Sequence, residues 1–311
     1  MGPVSEPTRP ARRGRLARSA AALAVLCGLA GYVAVHQLTG SKGAPRCSVG
    51  SGENRYEFTP EQASNAATIS AVGTGRGLPE RAVTIALATA LQESSLRNIE
   101  HGDRDSLGLF QQRPSMGWGT PRQILDPVYS ATRFYEGLEK VPGYSRLPLT
   151  VAAQKVQRSG FPQAYAKHEP DAALLSAALT GRAPAALSCT ARVTGQRPGD
   201  PRHVREELAR DFGRGAVPAP VTGGSSAGRS ASGPPVLTLP VRPVAGTGRA
   251  AGERRGWELA QWAVARAEDL RVVEVAYGGK VWHASDSGGG WEPASGSSAA
   301  EPDTVRLRLA Q

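Results

Sequence analysis

The stretch RAVTIALATALQESSL, residues 81–96, decides the fold of the central part of the chain. Its apolar residues recur at helical spacing, which predicts a helix that begins at Pro79. Glu93 falls at the edge of the apolar stripe, near the end of that helix. A carboxyl group beside apolar side chains can act as a general acid in glycoside cleavage. The alternative is a solvated charge at a helix end, and the spacing alone leaves both interpretations open.

A second stretch, GDRDSLGLFQQ at residues 102–112, follows this helix. The letters HGDRDS are typical of a turn, and LGLFQQ predicts a short extended or irregular element. Around the two stretches, proline follows a capping residue at three places, which predicts three helix starts: Thr59-Pro60, Thr120-Pro121 and Asp126-Pro127. The surrounding domain is therefore predicted to be mainly helical, with one small β-like element.

The pair QESSL and DSLGLFQQ resembles the motif pair of the soluble lytic transglycosylase and goose-type lysozyme superfamily. There, a helix ends in Glu-Ser and a short element reads Gly-Leu-Met-Gln, where this chain has GLFQ. More broadly, residues 46–192 resemble a lysozyme-like domain of actinobacterial exported, membrane-anchored proteins. The resemblance covers about half of the chain. It implies a lysozyme-like α+β domain that acts on peptidoglycan glycan strands.

The resemblance implies roles for individual residues. Glu93 matches the catalytic acid of the superfamily, Ser94 matches a serine that supports the site, and Gln111 matches a glutamine that hydrogen-bonds the substrate. The Ala-Tyr-Asn-Ala-Gly motif of the superfamily is absent, and VQRSGFPQAY stands in its region. This departure affects the expected contacts with the substrate.

Three further residues have two interpretations each. Tyr165 corresponds to a late tyrosine near the acid of lytic transglycosylases, or it is a core aromatic. Asp103 positions a water molecule, as in an inverting hydrolase, or it forms a turn. Trp118 stacks on a sugar ring, or it is buried.

The resemblance implies that Glu93 protonates the glycosidic oxygen between N-acetylmuramic acid and N-acetylglucosamine. The same carboxylate then acts as a base on the muramyl 6-hydroxyl, as in a lytic transglycosylase, and neither a metal nor an organic cofactor is needed. A water held by Asp103 would make the protein a muramidase. The alternative function is a non-catalytic peptidoglycan-binding scaffold in cell-wall assembly. Some relatives are called heavy metal transporters, but the sequence has no Cys or His cluster with ligand spacing.

The N-terminus predicts a membrane anchor. Residues 1–18 contain five arginines, and no charged residue occurs between positions 19 and 41. The arginines place the N-terminus in the cytoplasm and the rest of the chain outside the cell. A signal peptide that is cleaved off, leaving a secreted protein, is the alternative.

The predicted export of the chain bears on whether its cysteines form a disulfide. Cys27 lies in the predicted anchor, and Cys47 and Cys189 lie on the oxidising side. These two therefore predict a disulfide across the ends of the central domain. Two unpaired thiols are the alternative.

The net charge of +10 lies mainly in the flanks and linkers. A nucleic-acid-binding domain would concentrate its charge on one folded face, so the distribution argues against nucleic acid as a partner. It fits attraction to an anionic membrane or cell wall.

The composition of the remaining chain predicts linkers and a separate C-terminal module. The 37 Gly and 24 Pro residues predict long linkers. After residue 252, GWELAQWAVARAEDL predicts an amphipathic helix, residues 271–285 predict a hairpin across Gly278-Gly279, and TVRLRLAQ predicts a last strand. We interpret this module as a non-catalytic binding or assembly unit.

These features predict a mainly α protein, with a lysozyme-like α+β domain and a small C-terminal α/β module after a disordered linker. The predicted ranges are a basic tail at 1–18, an anchor at 19–41, a juxtamembrane linker at 42–55, the lysozyme-like domain at 56–192, a short helix at 193–212, a linker at 213–252 and the module at 253–311.

Overall fold

The structure is a computed structural model. It describes residues 44–158, 162–191, 193, 197–216, 234–241, 248–285, 290–296, 300–301 and 303–311, together with Leu26, Gly28 and Gly31. The predicted basic tail, and the predicted anchor apart from those three residues, lie outside these ranges. Within the part of the chain that is described, no helix has the length and apolar character needed to cross a membrane.

The helices of the central region begin where their capping signals predict. Helix α1 (Pro60–Gly75) has a capping box in which Gln62 N–H donates to Thr59 Oγ1 at 3.3 Å and Thr59 N–H donates to Gln62 Oε1 at 2.8 Å. Helix α2 (Glu80–Ser94) carries Glu93 in its last turn. The other helices here are α3 (Pro121–Ile124), α4 (Pro127–Glu139), α5 (Leu149–Gln157), α6 (Glu169–Leu179) and α7 (Pro201–Phe212). Two 3₁₀ helices, Pro114–Met116 and Pro162–His168, lie between them.

A small antiparallel sheet closes one side of the helical region. It contains β1 (Cys47–Ser51), β2 (Asn54–Phe58) and β3 (Leu187–Cys189) in the order β2-β1-β3. Cys47 and Cys189 pair in register and are joined by the predicted disulfide. The two residues are 142 positions apart, so the loop-entropy contribution to stability is about 5 kcal/mol as an upper value.

A second antiparallel sheet lies near the C-terminus, in the order β4-β8-β5-β6-β7. The predicted hairpin across Gly278-Gly279 is confirmed, because Tyr277 pairs with Lys280 and both glycines have positive φ. The predicted last strand is confirmed as well. The elements are β4 (Val236–Pro240), α8 (Arg249–Ala265), α9 (Ala267–Leu270), β5 (Val272–Tyr277), β6 (Lys280–His283), β7 (Trp291–Pro293) and β8 (Thr304–Leu309).

The second sheet and helix α8 share one hydrophobic core with the helical region, and Pro45–Gln311 forms one compact unit. The buried Gln261 of α8 accepts hydrogen bonds from the N–H groups of Ala186 and Leu187 at 2.9 Å and donates to Ala178 O at 2.7 Å. Its amide thus satisfies backbone groups at the end of α6 and the start of β3. The C-terminal elements are therefore integral to the packing of the central region.

Buried charges connect the same parts of the chain. Asp211 of α7 is 2% exposed and accepts hydrogen bonds from Thr68, from the Trp262 indole and from the Arg266 guanidinium. Arg266 also forms an ion pair with Glu207. Burial raises the pKa of the Asp211 carboxyl, although the charge of Arg266 opposes this shift. These contacts hold α1, α7 and α8 together.

The prediction of a mainly α protein is wrong. About half of the residues that the structure describes are helical and 17% of them lie in the strands of two antiparallel sheets, so the fold is mixed α+β. Strand β1 and the start of β2 fall within 42–55, and β4 falls within 213–252, which the sequence predicts as linkers. Strands β1 and β4 depend on partners that lie far along the chain: β1 pairs with β3, and β4 pairs with β8. Local composition does not report such pairing.

Candidate active site

Glu93 lies half-buried in the last turn of α2. Tyr165, on the 3₁₀ helix Pro162–His168, is fully buried and donates a hydrogen bond from its hydroxyl to Glu93 Oε1 at 2.6 Å. This hydrogen bond from the phenol fixes the orientation of the carboxyl group. The structure therefore brings the two residues together across 72 positions of sequence.

Ser94 lies behind the carboxyl group and is 8% exposed. Its Oγ donates to Ala90 O within α2 and to Leu109 O at 2.8 Å. The second bond attaches the end of α2 to the segment that carries the GLFQ letters.

Residues 107–112, which we call the GLFQ turn, form a tight reversal. Leu107 and Gln112 exchange two backbone hydrogen bonds at 3.0 Å as an isolated antiparallel bridge, which is the small β-like element that the sequence predicts. Gln111 has a positive φ, and its side chain lies directly against Gly102, where a Cβ atom would be only 1.8 Å from Gln111 Oε1. The glycine of the GD pair therefore makes room for the Gln111 amide.

The two aspartates after Gly102 differ in environment. The Asp103 side chain is 92% exposed and lies 4.0 Å from Arg104. Asp105 accepts hydrogen bonds from Arg113 Nε at 2.7 Å and from Ser115 N–H at 2.8 Å. The Arg113 guanidinium, with help from Ser115, holds the pKa of the Asp105 carboxyl well below its usual range. Asp105 therefore orders the loop, and Asp103 is left facing solvent.

Trp118 lies at the border between the hydrophobic core and the cleft. The residue is half-buried and packs against the hydrophobic core, and it also lines the cleft that contains Glu93. Its carbonyl accepts a hydrogen bond from the Tyr129 hydroxyl at 3.2 Å. One part of the indole is thus fixed by packing while the residue still borders the open space.

That space is an open cleft of about 1010 Å³. Four of the residues selected from the sequence line it: Glu93, Asp103, Gln111 and Trp118. Positive side chains also line it, and these outnumber the lining acids Glu93, Asp103 and Glu136. The lining cations are Arg104, Arg113, Arg133, Lys140, Lys155 and Arg158.

Sequence reasoning missed two features of this site. The first is the set of cations on α4 and α5, although Arg133, Gly137 and Lys140 recur at helical spacing that could have shown a common face. The second is Gln157, whose amide donates to Phe110 O in the GLFQ turn at 2.7 Å. No local pattern in the sequence indicates that contact.

A second polar contact involves Gln92, the residue that precedes Glu93 in α2. His168 Nε2 and Gln92 Oε1 are 3.1 Å apart. Burial lowers the pKa of His168, and the charge of Lys167 acts in the same direction, whereas Asp171 opposes it. The neutral imidazole can donate to the Gln92 amide through Nε2 when that nitrogen carries the proton.

Metal chemistry has no candidate centre in the described ranges, because no three His, Cys, Asp or Glu side chains come together there in a way that could hold an ion. The arrangement around Glu93 instead offers one carboxyl group, one phenol donor, one amide and a surrounding excess of positive charge. Such a set can perform proton transfer and bind an anionic ligand.

Comparison with known proteins gives one partial match. Residues 243–304 are similar to the family described as the VldE C-terminal domain, and this range covers α8, α9 and β5 to β7 but not the Glu93 site. The comparison with curated proteins finds no match to the chain. The match covers far less than half of the chain and describes similarity of its C-terminal part.

Proposed function

We propose that the protein cleaves peptidoglycan glycan strands at the bond between N-acetylmuramic acid and N-acetylglucosamine, with Glu93 as the general acid. The observation that carries the proposal is the 2.6 Å hydrogen bond from the buried Tyr165 hydroxyl to Glu93 in a cleft also lined by Gln111 and Trp118. An isolated surface glutamate would have no need of a buried phenol that orients it.

In the proposed reaction, the protonated Glu93 donates its proton to the glycosidic oxygen as the bond to the muramyl C1 breaks. The sugar develops oxocarbenium character, and Tyr165 stabilises the carboxylate that forms on Glu93. The carboxylate then removes the proton of the muramyl 6-hydroxyl, whose oxygen bonds to C1 and closes a 1,6-anhydro ring. Glu93 therefore carries a proton again at the end of the cycle.

Asp103 distinguishes this route from hydrolysis. An inverting hydrolase needs a second carboxylate that activates water on the opposite face of the sugar. The Asp103 carboxylate lines the cleft but is almost fully exposed, and within the described residues the ion-pair contact that it makes is the one with Arg104. We therefore favour the transglycosylase route, and Asp103→Asn tests the choice by its products.

The proposed setting is the outer face of the cell membrane, with residues 19–41 as the anchor. The Cys47–Cys189 disulfide supports an oxidising compartment, because cytosolic proteins rarely keep such bonds. The alternative within the proposal is a secreted protein whose N-terminal segment has been removed.

A second candidate function is a peptidoglycan-binding scaffold that does not cleave. It is favoured by the open, cation-lined cleft, which suits retention of a strand that carries negative charge. The two candidates differ in one measurable respect, since only the enzyme forms new chain ends.

The test is mass spectrometry of muropeptides after incubation of sacculi with the full-length protein. The enzyme is expected to release products with a 1,6-anhydro end, and Glu93→Gln is expected to release none above background. Asp103→Asn should keep the anhydro products. Products with a reducing end in the wild type, lost in Asp103→Asn, would replace the transglycosylase route by hydrolysis, and the absence of any product with the wild type would support the scaffold.

A further inference from the structure

We infer that the cleft contains an anion-binding feature beside Glu93, formed by Lys140, Lys155 and Arg158, which we call the cation set. It binds a negatively charged group that is covalently attached to the glycan strand. The inference rests on the proposed function, because it specifies which strands the Glu93 site accepts. According to this inference, the protein selects the strands that it cleaves by their charge.

The cation set depends on the packing of two helices. Lys140 is the C-cap of α4, and Lys155 and Arg158 lie in the last turn and at the C-cap of α5. Gly137 permits close packing of these helices, because a Cβ atom there would lie 2.9 Å from Val156 Cγ1. All three cations line the same cleft as Glu93.

Two of the other lining cations have close carboxylate partners, and this separates them from the cation set. Arg113 forms an ion pair with Asp105, and Arg133 forms one with Glu136. No carboxylate of the described residues lies within 4.0 Å of the side-chain nitrogens of the cation set. The three side chains are exposed, so their charges are available to a ligand that enters the cleft.

Like charges that converge on a cleft with protein walls raise its local potential and attract an anionic ligand. The excess at this cleft is a local feature, because the charges of residues 56–192 nearly cancel. A neutral glycan would gain nothing from such an arrangement. The placement therefore points to a strand with an ionised substituent.

The cation set is coupled to the proposed reaction site by Gln157. This residue lies between Lys155 and Arg158 in sequence, and its amide donates to Phe110 O in the GLFQ turn at 2.7 Å. The end of α5 is thereby fixed to the segment that also accepts the hydrogen bond from Ser94. An anion bound by the cation set would thus lie at a defined position relative to the glycosidic oxygen that Glu93 protonates.

Two sources of negative charge share this chemistry. One is the carboxylates of the peptide that is attached to the lactyl group of muramic acid, and the other is a phosphodiester polymer linked to the strand. The proposed ring closure needs a free muramyl 6-hydroxyl, so a polymer attached at that oxygen would block the reaction. The peptide carboxylates leave it free, and we therefore expect them to be the source.

The experiment compares three preparations of strands: intact, freed of peptide by an amidase, and freed of phosphodiester polymer. The full-length wild type is compared with the triple variant Lys140→Gln, Lys155→Gln and Arg158→Gln. Because exposed charge pairs contribute little individually, the expected preference of the wild type for peptide-bearing over peptide-free strands is about tenfold in kcat/KM. In the triple variant, this ratio is expected to fall to about one.

The matched control removes the same charge elsewhere, with Arg202→Gln, Arg249→Gln and Lys280→Gln, exposed residues that do not line the cleft. It should keep the preference of the wild type. If the kcat/KM of the wild type falls when the phosphodiester polymer is removed, and not when the peptide is removed, the anion belongs to that polymer. A triple variant that keeps the wild-type ratio, or a control that loses it equally, overturns the inference.

Binding separates this inference from the proposed function. Co-sedimentation with intact and peptide-free sacculi is measured in the Glu93→Gln background, where cleavage plays no part. The cation set should raise the affinity for peptide-bearing sacculi about tenfold, and this gain should weaken at high salt because screening shortens the range of the charges. Equal affinity for both kinds of sacculi refutes the cation set, whatever the fate of the proposed cleavage.

Discussion

Replacing Tyr165 with phenylalanine removes the hydroxyl that donates to Glu93 and keeps the buried ring. A hydrogen bond to a charged group contributes about 1.5–3 kcal/mol. Glu93 is half-buried and faces an open cleft, so water replaces the phenol in part, and the lower value of about 1.5 kcal/mol applies. This corresponds to a loss of roughly tenfold in rate.

The loss should appear in kcat, with KM nearly unchanged, because Tyr165 stabilises the carboxylate that forms as the proton leaves. The assay is the rate of release of muropeptides from peptidoglycan, quantified by liquid chromatography and mass spectrometry over a range of substrate concentrations. Circular dichroism and urea unfolding of the same sample show that the variant is folded.

Tyr135→Phe is the matched control. Tyr135 is also fully buried and donates a hydrogen bond, but to Ile69 O in α1 at 3.0 Å, and it does not line the cleft. This variant should lose stability without a specific loss of kcat. If Tyr165→Phe cleaves at the wild-type rate, or if both variants lose kcat equally, the role assigned to the Tyr165 hydroxyl is refuted.

Three further predictions concern stability. Reduction of the Cys47–Cys189 bond should lower the free energy of unfolding by about 2–5 kcal/mol, and an unchanged urea midpoint in the presence of reductant would contradict this. Asp211→Ala removes one of the two carboxylate partners of the buried Arg266, leaving Glu207, and also removes the acceptor of the buried Trp262 indole. It should cost about 1–3 kcal/mol in urea unfolding, and an unchanged free energy of unfolding would refute the importance of these contacts. Asp105 has a lowered pKa in the folded state, so its stabilisation is present above the unfolded pKa and is lost as the pH falls through the folded pKa. The stability gap between the wild type and Asp105→Asn should therefore be present at pH 7 and shrink below about pH 4, and a gap that widens in acid would show that the sign is wrong.

The local signals in the sequence were sufficient for most helices and for one hairpin. Thr59-Pro60 predicted a helix start, where the structure has a capping box, and Gly278-Gly279 predicted a turn in which both residues have positive φ. These features depend on residues that are close together in the chain. Short-range hydrogen bonds and backbone preferences therefore determine whether such helix starts and turns form.

The strands of the two sheets were harder to predict because their pairing is non-local. The three residues of β3 form a strand only because β1 lies beside them, and β4 depends on β8 in the same way. The segment CSVG, from Cys47 to Gly50, alternates buried and partly buried residues, a weak signal that the two nearby glycines obscured. Strand content was consequently underestimated.

Only part of the candidate site was predicted, because the rest depends on non-local contacts. Glu93, Ser94 and Gln111 belong to motif letters, so their proximity could be expected from the resemblance. The contact of Gln157 with Phe110 and the convergence of cations depend on the packing of α4 against α5 at Gly137. Helical spacing could show the common face of Arg133, Gly137 and Lys140, but no local pattern shows which residues of α5 pack beside it.

The most direct test of the central claim is the rate of strand cleavage by Glu93→Gln, measured together with its binding to sacculi. Glutamine is similar in size and can accept the hydrogen bond from Tyr165, but it cannot donate a proton to the glycosidic oxygen. General acid catalysis contributes about 10²–10⁴-fold, so cleavage should fall by at least about 100-fold while binding is retained. Cleavage by Glu93→Gln at the wild-type rate would contradict the assignment of Glu93 as the acid.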